Sequence, residues 1–231
     1  MYTNIKTIIP ILEEKGYLIN DPWDVVSSFE NMVANYAGSK YAVSIDSCTN
    51  AVFLCLKWLK AEGTITVPAK TYVSVPQAIL HAGCEVQFDE REWSGAYTLD
   101  PYPIVDGATR FRKGMYQPNT LHCLSFHIKK ILSIGKGGMI LTDDASAVEW
   151  FKKARYEGRD ITKPYDQDSI EIVGWNMYMP PEQAAIGIER FLKLSDYNED
   201  CGGSLKYHDL RKHNIFNAKS SDINLGARYA I

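Results

Sequence analysis

Lys130 stands in the run Ser125-Phe126-His127-Ile128-Lys129-Lys130-Ile131-Leu132-Ser133-Ile134-Gly135-Lys136-Gly137-Gly138, between a strand-like segment and a glycine-rich turn. A primary amine held there can condense with an aldehyde to an imine, and once freed it can move protons at a substrate carbon. A basic strand end running into a turn has the same appearance, because most lysines beside glycines are solvated. Asp106 ends the short apolar run Ile104-Val105-Asp106, where a carboxylate can reach into a cleft; an Asp-Gly turn opener reads alike. Ser47-Cys48-Thr49-Asn50-Ala51 follows one strand and opens a helix, so free N–H groups and the helix dipole face any incoming anion. The hydroxyls of Ser47 and Thr49 add donors. An ordinary N-cap with no ligand is the competing reading.

These groups need a scaffold to hold them. Asp21-Pro22-Trp23 begins a helix, with Asp21 as cap and Pro22 at the first helical position. Val25, Val26, Phe29, Met32 and Val33 recur at helical spacing, and Gly38 supplies the stop. Thr49 to Leu59 reads as a helix buried on more than one side. Tyr72 to His81, Ala145 to Tyr156 and Pro180 to Leu194 are the other helices, the first two ended by Gly83 and Gly158. Tyr41–Ile45, Thr64–Pro68, Glu85–Phe88, Pro103–Asp106, Leu121–Phe126 and Met139–Thr142 read as strands. The alternation predicts an α/β fold with a mostly parallel central sheet flanked by helices. Arg91 to Pro103 reads as a loop. Residues 1–194 form one domain in this reading, and 195–231, polar beyond Cys201-Gly202-Gly203, form a short tail or vestigial small domain.

The bulk composition removes several function classes. With 231 residues, 45% apolar and 23% charged, the chain is an ordinary soluble globular protein with room for a proper core. A net charge of −3 gives no general pull toward nucleic acid. No apolar stretch reaches membrane-spanning length and the N-terminus lacks a secretory core, so a cytoplasmic location is expected. The five cysteines form no Cys-x-x-Cys pair, and Cys55, Cys84 and Cys123 sit in apolar contexts that suit reduced core thiols. The histidines show no metal-ligand spacing with them, so no metal site is expected. No Gly-x-Gly-x-x-Gly follows the first strand, which argues against a dinucleotide-binding fold.

Five segments, in order from about Asp24 to Leu194, resemble the DegT/DnrJ/EryC1/StrS family of sugar aminotransferases, which use pyridoxal phosphate (PLP). Ser-Phe-His-x-x-Lys with Gly-x-Gly-Gly is similar to the family's cofactor segment, and Asp106-Gly107-Ala108 to its Asp-x-Ala. Ser47-Cys48-Thr49-Asn50-Ala51 resembles Ser-Gly-Thr-x-Ala, and Thr71-Tyr72-Val73 its aromatic segment. Gly174-Trp175-Asn176-Met177-Tyr178-Met179 with Gln183-Ala184-Ala185 completes the set. The resemblance implies the large domain of PLP-transferase fold type I, with Lys130 as imine partner and proton shuttle and Asp106 on the pyridine nitrogen. It implies phosphate contacts from Thr49, Asn50 and Ser125, ring stacking by Tyr72, and cofactor contacts from Ser47, Cys48, Thr109 and His127. It also implies a homodimer in which Asn176 reaches the phosphate of the neighbouring subunit. The implied reaction moves an amino group from an amino acid, glutamate, to a keto-sugar nucleotide.

The chain departs from that pattern in several places. Thr109 stands where the family usually has Gln or His, Lys136 replaces a glutamate, and Tyr178 replaces an arginine. Asp89 and Asp106 are nearly adjacent where the family carries another strand and helix, and the C-terminal small domain is reduced or absent. Two alternatives follow: a PLP-dependent decarboxylase, dehydratase or transaminase acting on a bulky or polymer-attached substrate, and a non-catalytic PLP-fold partner subunit.

Overall fold

Helical spacing, caps and stops act much as the sequence predicts. The computed structural model describes residues 5–216. Helix α1 spans Ile5–Glu14 and α2 spans Pro22–Ala37. Asp21 caps α2 by accepting from Trp23 N, while the Asp24 carboxylate accepts from Asp21 N in a reciprocal box. Gly38, at φ 89°, ends α2 in the left-handed region that favours glycine. β1 (Tyr41–Ile45), α3 (Cys48–Trp58), β2 (Thr64–Pro68), α4 (Ser74–Ala82) and β3 (Glu85–Asp89) follow. Next come β4 (Tyr97–Thr98), β5 (Ile104–Asp106), β6 (Leu121–Ser125), β7 (Gly138–Thr142), α5 (Ala145–Ala154) and α6 (Pro181–Phe191).

The main sheet has the order β1-β7-β6-β5-β4, and β2 and β3 pair beside it. Thr66 and Asp100 exchange N–H···O bonds of 2.8 and 3.1 Å, which joins the two sheets edge to edge. β5 runs parallel to β6 and β2 to β3, whereas β7 is antiparallel to both its neighbours and β4 to β5. Among the described residues, five of the seven strands therefore point one way, and only β4 and β7 are reversed. Arg91–Pro103, read as a loop, contains β4. Burial alternates from Arg91 to Asp100, with Gly95, Tyr97 and Leu99 inward, so the segment behaves as an extended edge piece with strand period.

Side-chain alternation sorts the core into two layers. Ala42, Leu124, Met139 and Leu141 face α1, α2 and α6. Val43, Ile45, Cys123 and Ile140 face α3, α4 and α5. β7 is buried along its whole length, as a central strand covered on both faces must be. One buried ion pair ties the layers: Glu30 on α2 accepts from Ser44 N and Ser44 Oγ, each at 2.8 Å, and from Arg155 Nη1 at 2.5 Å. The Glu30 and Arg155 side chains are 4% and 8% exposed, so either one left alone would be an uncompensated charge in the core.

The segment after α6 packs back on the body in short 3-10 turns. Leu210 N donates to Ala69 O at 2.9 Å, and the Leu210 side chain is buried. The part of the expected tail beyond Phe216 lies outside the described residues.

Candidate active site

The carboxyl ends of β1, β2, β5 and β6 deliver Ser47, Thr71, Asp106 and Ser125 to one rim of the sheet. Open α/β sheets bind ligands at that rim. Ser47 Oγ caps α3 by accepting from Asn50 N at 3.2 Å. The N–H groups of Cys48 and Thr49, in the first helical turn, have no intrahelical acceptor and present the helix's positive end. Gly138 lets β7 approach this turn. A Cβ there would lie 2.4 Å from Ser47 C and 2.5 Å from Cys48 N, which accounts for the last glycine of Gly-x-Gly-Gly.

Asp106 is 5% exposed, and its partners are neutral. Tyr97 Oη donates to Oδ2 at 2.7 Å, Ala108 N to Oδ1 at 2.9 Å, and Cys48 Sγ approaches Oδ1 at 3.9 Å. Burial pushes the carboxyl up from its ordinary value, while Tyr97, Ala108 and the nearby Lys130 ammonium pull the other way. Cys48 is pushed well up, first by burial and then by the Asp106 charge, so it stays a protonated thiol. The field of Lys130 reaches both groups. Its backbone N–H donates to His127 O at 2.8 Å, which fixes the turn that carries it.

The other expected contacts fare differently. Ser125 Oγ accepts from His127 N at 3.4 Å, and His127 is exposed, its Nδ1 accepting from Lys129 N at 3.4 Å. Tyr72 is 58% exposed and meets Tyr207 edge-on at 6.3 Å. Thr49 Oγ1 donates to Ser74 Oγ at 2.8 Å. Asn50 Nδ2 donates to Asp46 Oδ1 at 2.7 Å, so its amide has another partner than the expected phosphate. Thr109, expected near the cofactor, is buried, and its single hydroxyl proton serves Gly95 O at 3.0 Å or Gly202 O at 3.1 Å. Its work is to pin two chain segments together. Asn176 is exposed and donates to Glu157 Oε1 at 2.6 Å, which puts it outside the group gathered around Asp106.

Two aromatic residues at this site escape a motif reading. Tyr97 belongs to the segment read as a loop. Tyr207 belongs to the polar tail, yet its ring stacks on Trp93 at 5.7 Å and 22°. Burial, followed by the charge of Asp106, raises the Tyr207 phenol to about 12. Arg110 and Arg112 hold Asp200, and Gly95 N donates to Gly202 O at 3.0 Å, so the tail returns over the rim in a fixed register. The spacing of Trp93, Tyr97 and Leu99 at even intervals could have marked a strand there, though not the role of Tyr97; nothing local points to Tyr207.

A buried carboxylate with neutral partners, an amine-bearing turn beside it and a helix N-terminus within the same rim fit a phosphorylated aldehyde with a basic ring nitrogen. The solved structure of AtS13 from Actinomadura melliaura has the same fold: it matches with a TM-score of 0.66 at 20% identity, over 82% of this chain and 64% of that one. The DegT/DnrJ/EryC1/StrS aminotransferase family matches residues 12–115 and 107–202, and the chain belongs to this family. Among curated relatives, the spore coat polysaccharide biosynthesis protein SpsC of Bacillus subtilis strain 168 is 25% identical over 237 residues. The UDP-4-amino-4,6-dideoxy-N-acetyl-beta-L-altrosamine transaminase of Campylobacter jejuni serotype O:2 is 23% identical over 218 residues. These alignments cover 79% and 75% of this chain, which spans 60% and 57% of the two relatives. No helix among the described residues is long and apolar enough to cross a membrane.

Proposed function

We propose that this chain binds PLP at the rim between Asp106 and Lys130 and transfers an amino group from glutamate to a keto-sugar nucleotide. The observation that carries the reading is the deeply buried Asp106, satisfied only by neutral donors, with the Lys130 ammonium as its charged neighbour. When bound, the cofactor supplies an aldehyde for an amine and a ring that accepts electrons.

The chain's own residues do the rest. The N–H groups of Cys48 and Thr49, with the hydroxyls of Ser47 and Ser125, hold the phosphate against the end of α3. Asp106 faces the ring nitrogen and keeps it protonated. Tyr72 covers one ring face. Lys130 moves the proton at the substrate carbon. Asn176, exposed and donating to Glu157, would turn to the phosphate of a second copy in a homodimer with shared sites, and the working place of that dimer is the cytoplasm. The substrate class follows what the Campylobacter relative's name says of that protein, together with the family resemblance.

The test is reconstitution with PLP, borohydride reduction and peptide mapping. A visible absorbance band, a reduced label on Lys130 and a spectral shift on adding glutamate are expected, all lost in Lys130→Ala. A label elsewhere, or none, ends the proposal.

A further inference from the structure

Tyr97 carries a role that no motif assigns. β4 lies antiparallel to β5 in a register that sets Tyr97 directly opposite Asp106. Such residues share a face, with Cβ atoms about 5 Å apart. The phenol therefore closes on the carboxylate, Tyr97 Oη donating to Asp106 Oδ2 at 2.7 Å. Thr71 Oγ1 lies 2.5 Å from the same Oη. A phenol has one proton, and a carboxylate is the stronger acceptor. The Thr71 hydroxyl must then donate to the Tyr97 oxygen. The result is a directed chain from Thr71 to Tyr97 to Asp106, through residues 2%, 6% and 5% exposed.

That chain bears on the charge of Asp106. Burial favours the neutral acid, and hydrogen bonds to the anion favour the carboxylate. Only the carboxylate can pair with a protonated ring nitrogen. Each oxygen has two acceptor positions: Oδ1 meets Ala108 N and the more distant Cys48 thiol, whereas Oδ2 takes Tyr97 alone and keeps one position open. These bonds fix the plane in which that open position lies. Trp93 packs on the Tyr97 ring at 4.7 Å, which holds the phenol from the other side.

We propose that Tyr97 is a positioning residue: its hydroxyl orients Asp106 and keeps it ionised toward the cofactor ring nitrogen. The inference rests on the PLP reading above, and Tyr97 acts only through Asp106. The residue comes from the short connection that carries the edge strand β4.

The test compares two ligands on the purified full chain: PLP, and an analogue whose ring nitrogen is replaced by carbon. Tyr97→Phe keeps the ring and removes the hydroxyl. It is expected to weaken PLP about tenfold and to leave the analogue unchanged. Asp106→Asn should lose the same preference, and adding Tyr97→Phe to it should cost nothing more. Equal loss of both ligands, or loss of neither, overturns the role of Tyr97 and leaves the PLP reading standing. If the unaltered protein binds neither ligand, both fall. Should Tyr97→Phe fail to fold, Thr71→Val removes the donor behind the phenol and should give a smaller loss of the same selectivity; loss of none would overturn the inference.

Discussion

Lys136 Nζ reaches Asp46 Oδ2 at 2.9 Å, bridging the turn after β1 and the glycine turn before β7. The same carboxylate accepts from Asn50 Nδ2 at 2.7 Å and Ser47 Oγ at 3.2 Å. Asp46 therefore sits beside the positive end of α3, where it competes with any bound anion. Lys136 offsets that charge. The pairing also explains a lysine where the family usually has glutamate: two carboxylates would face each other here.

Lys136→Glu should accordingly weaken PLP several-fold, and Asp46→Asn in the same background should restore it. Stability should barely move, because the Lys136 side chain is 70% exposed and such pairs contribute about 0–1 kcal/mol. Cofactor titration alongside thermal unfolding checks both halves. Unchanged PLP affinity in Lys136→Glu would remove Asp46 from the account of the anion site.

Asp200 is the latch of the returning tail. Its carboxylate takes Arg110 Nε at 2.9 Å, Arg110 Nη2 at 2.6 Å and Arg112 Nη2 at 2.6 Å, and its side chain is 12% exposed. The Arg110 hydrogen bond, above all, holds its pKa below the ordinary 3.8. A depressed acid stabilises the fold above 3.8 and loses that contribution as pH falls through its lower folded value. Asp200→Asn should cost about 1–2 kcal/mol and speed hydrogen exchange across residues 200–210, where Tyr207 covers the rim. Exchange confined to its wild-type rate would show that Thr109 and Gly95 suffice to hold the segment.

How much of this was legible in sequence depends on the reach of each interaction. The α2 cap, the Gly38 stop and the strand runs are local, and they appear where periodicity put them. Asp106 and Lys130 were legible because a strand end and a glycine turn advertise them within a few residues. Tyr97 and Tyr207 were not, since each acquires its role from chain that returns from elsewhere. The reversal of β4 follows from length: residues 99–103 are too few for a parallel crossover. Residues 126–137 reach β7 without a helix, and that strand runs antiparallel too. Thr109 shows the same reach: its hydroxyl meets carbonyls from Gly95 and Gly202, contacts that its motif position does not announce.

His122 on β6 is fully buried, and among the described residues neither ring nitrogen has a hydrogen-bond partner. It abuts Gly107, where a Cβ would lie 2.3 Å from Nε2. Burial first, and the Arg110 charge second, lower its pKa from 6.5 to about 4. The folded chain then binds fewer protons than the unfolded chain between those values. Its contribution is complete above 6.5 and is lost as pH falls toward 4, which amounts to roughly 3 kcal/mol. His122→Leu removes both the titration and the unpartnered nitrogens. At pH 7 it should be neutral or more stable by about 1 kcal/mol, and between pH 6.5 and 4 its stability should fall less steeply than that of the unaltered protein. Urea unfolding at pH 7 and pH 5 checks the difference. Identical losses in the two proteins would mean that the acid sensitivity arises elsewhere, and that water satisfies this imidazole in the folded state.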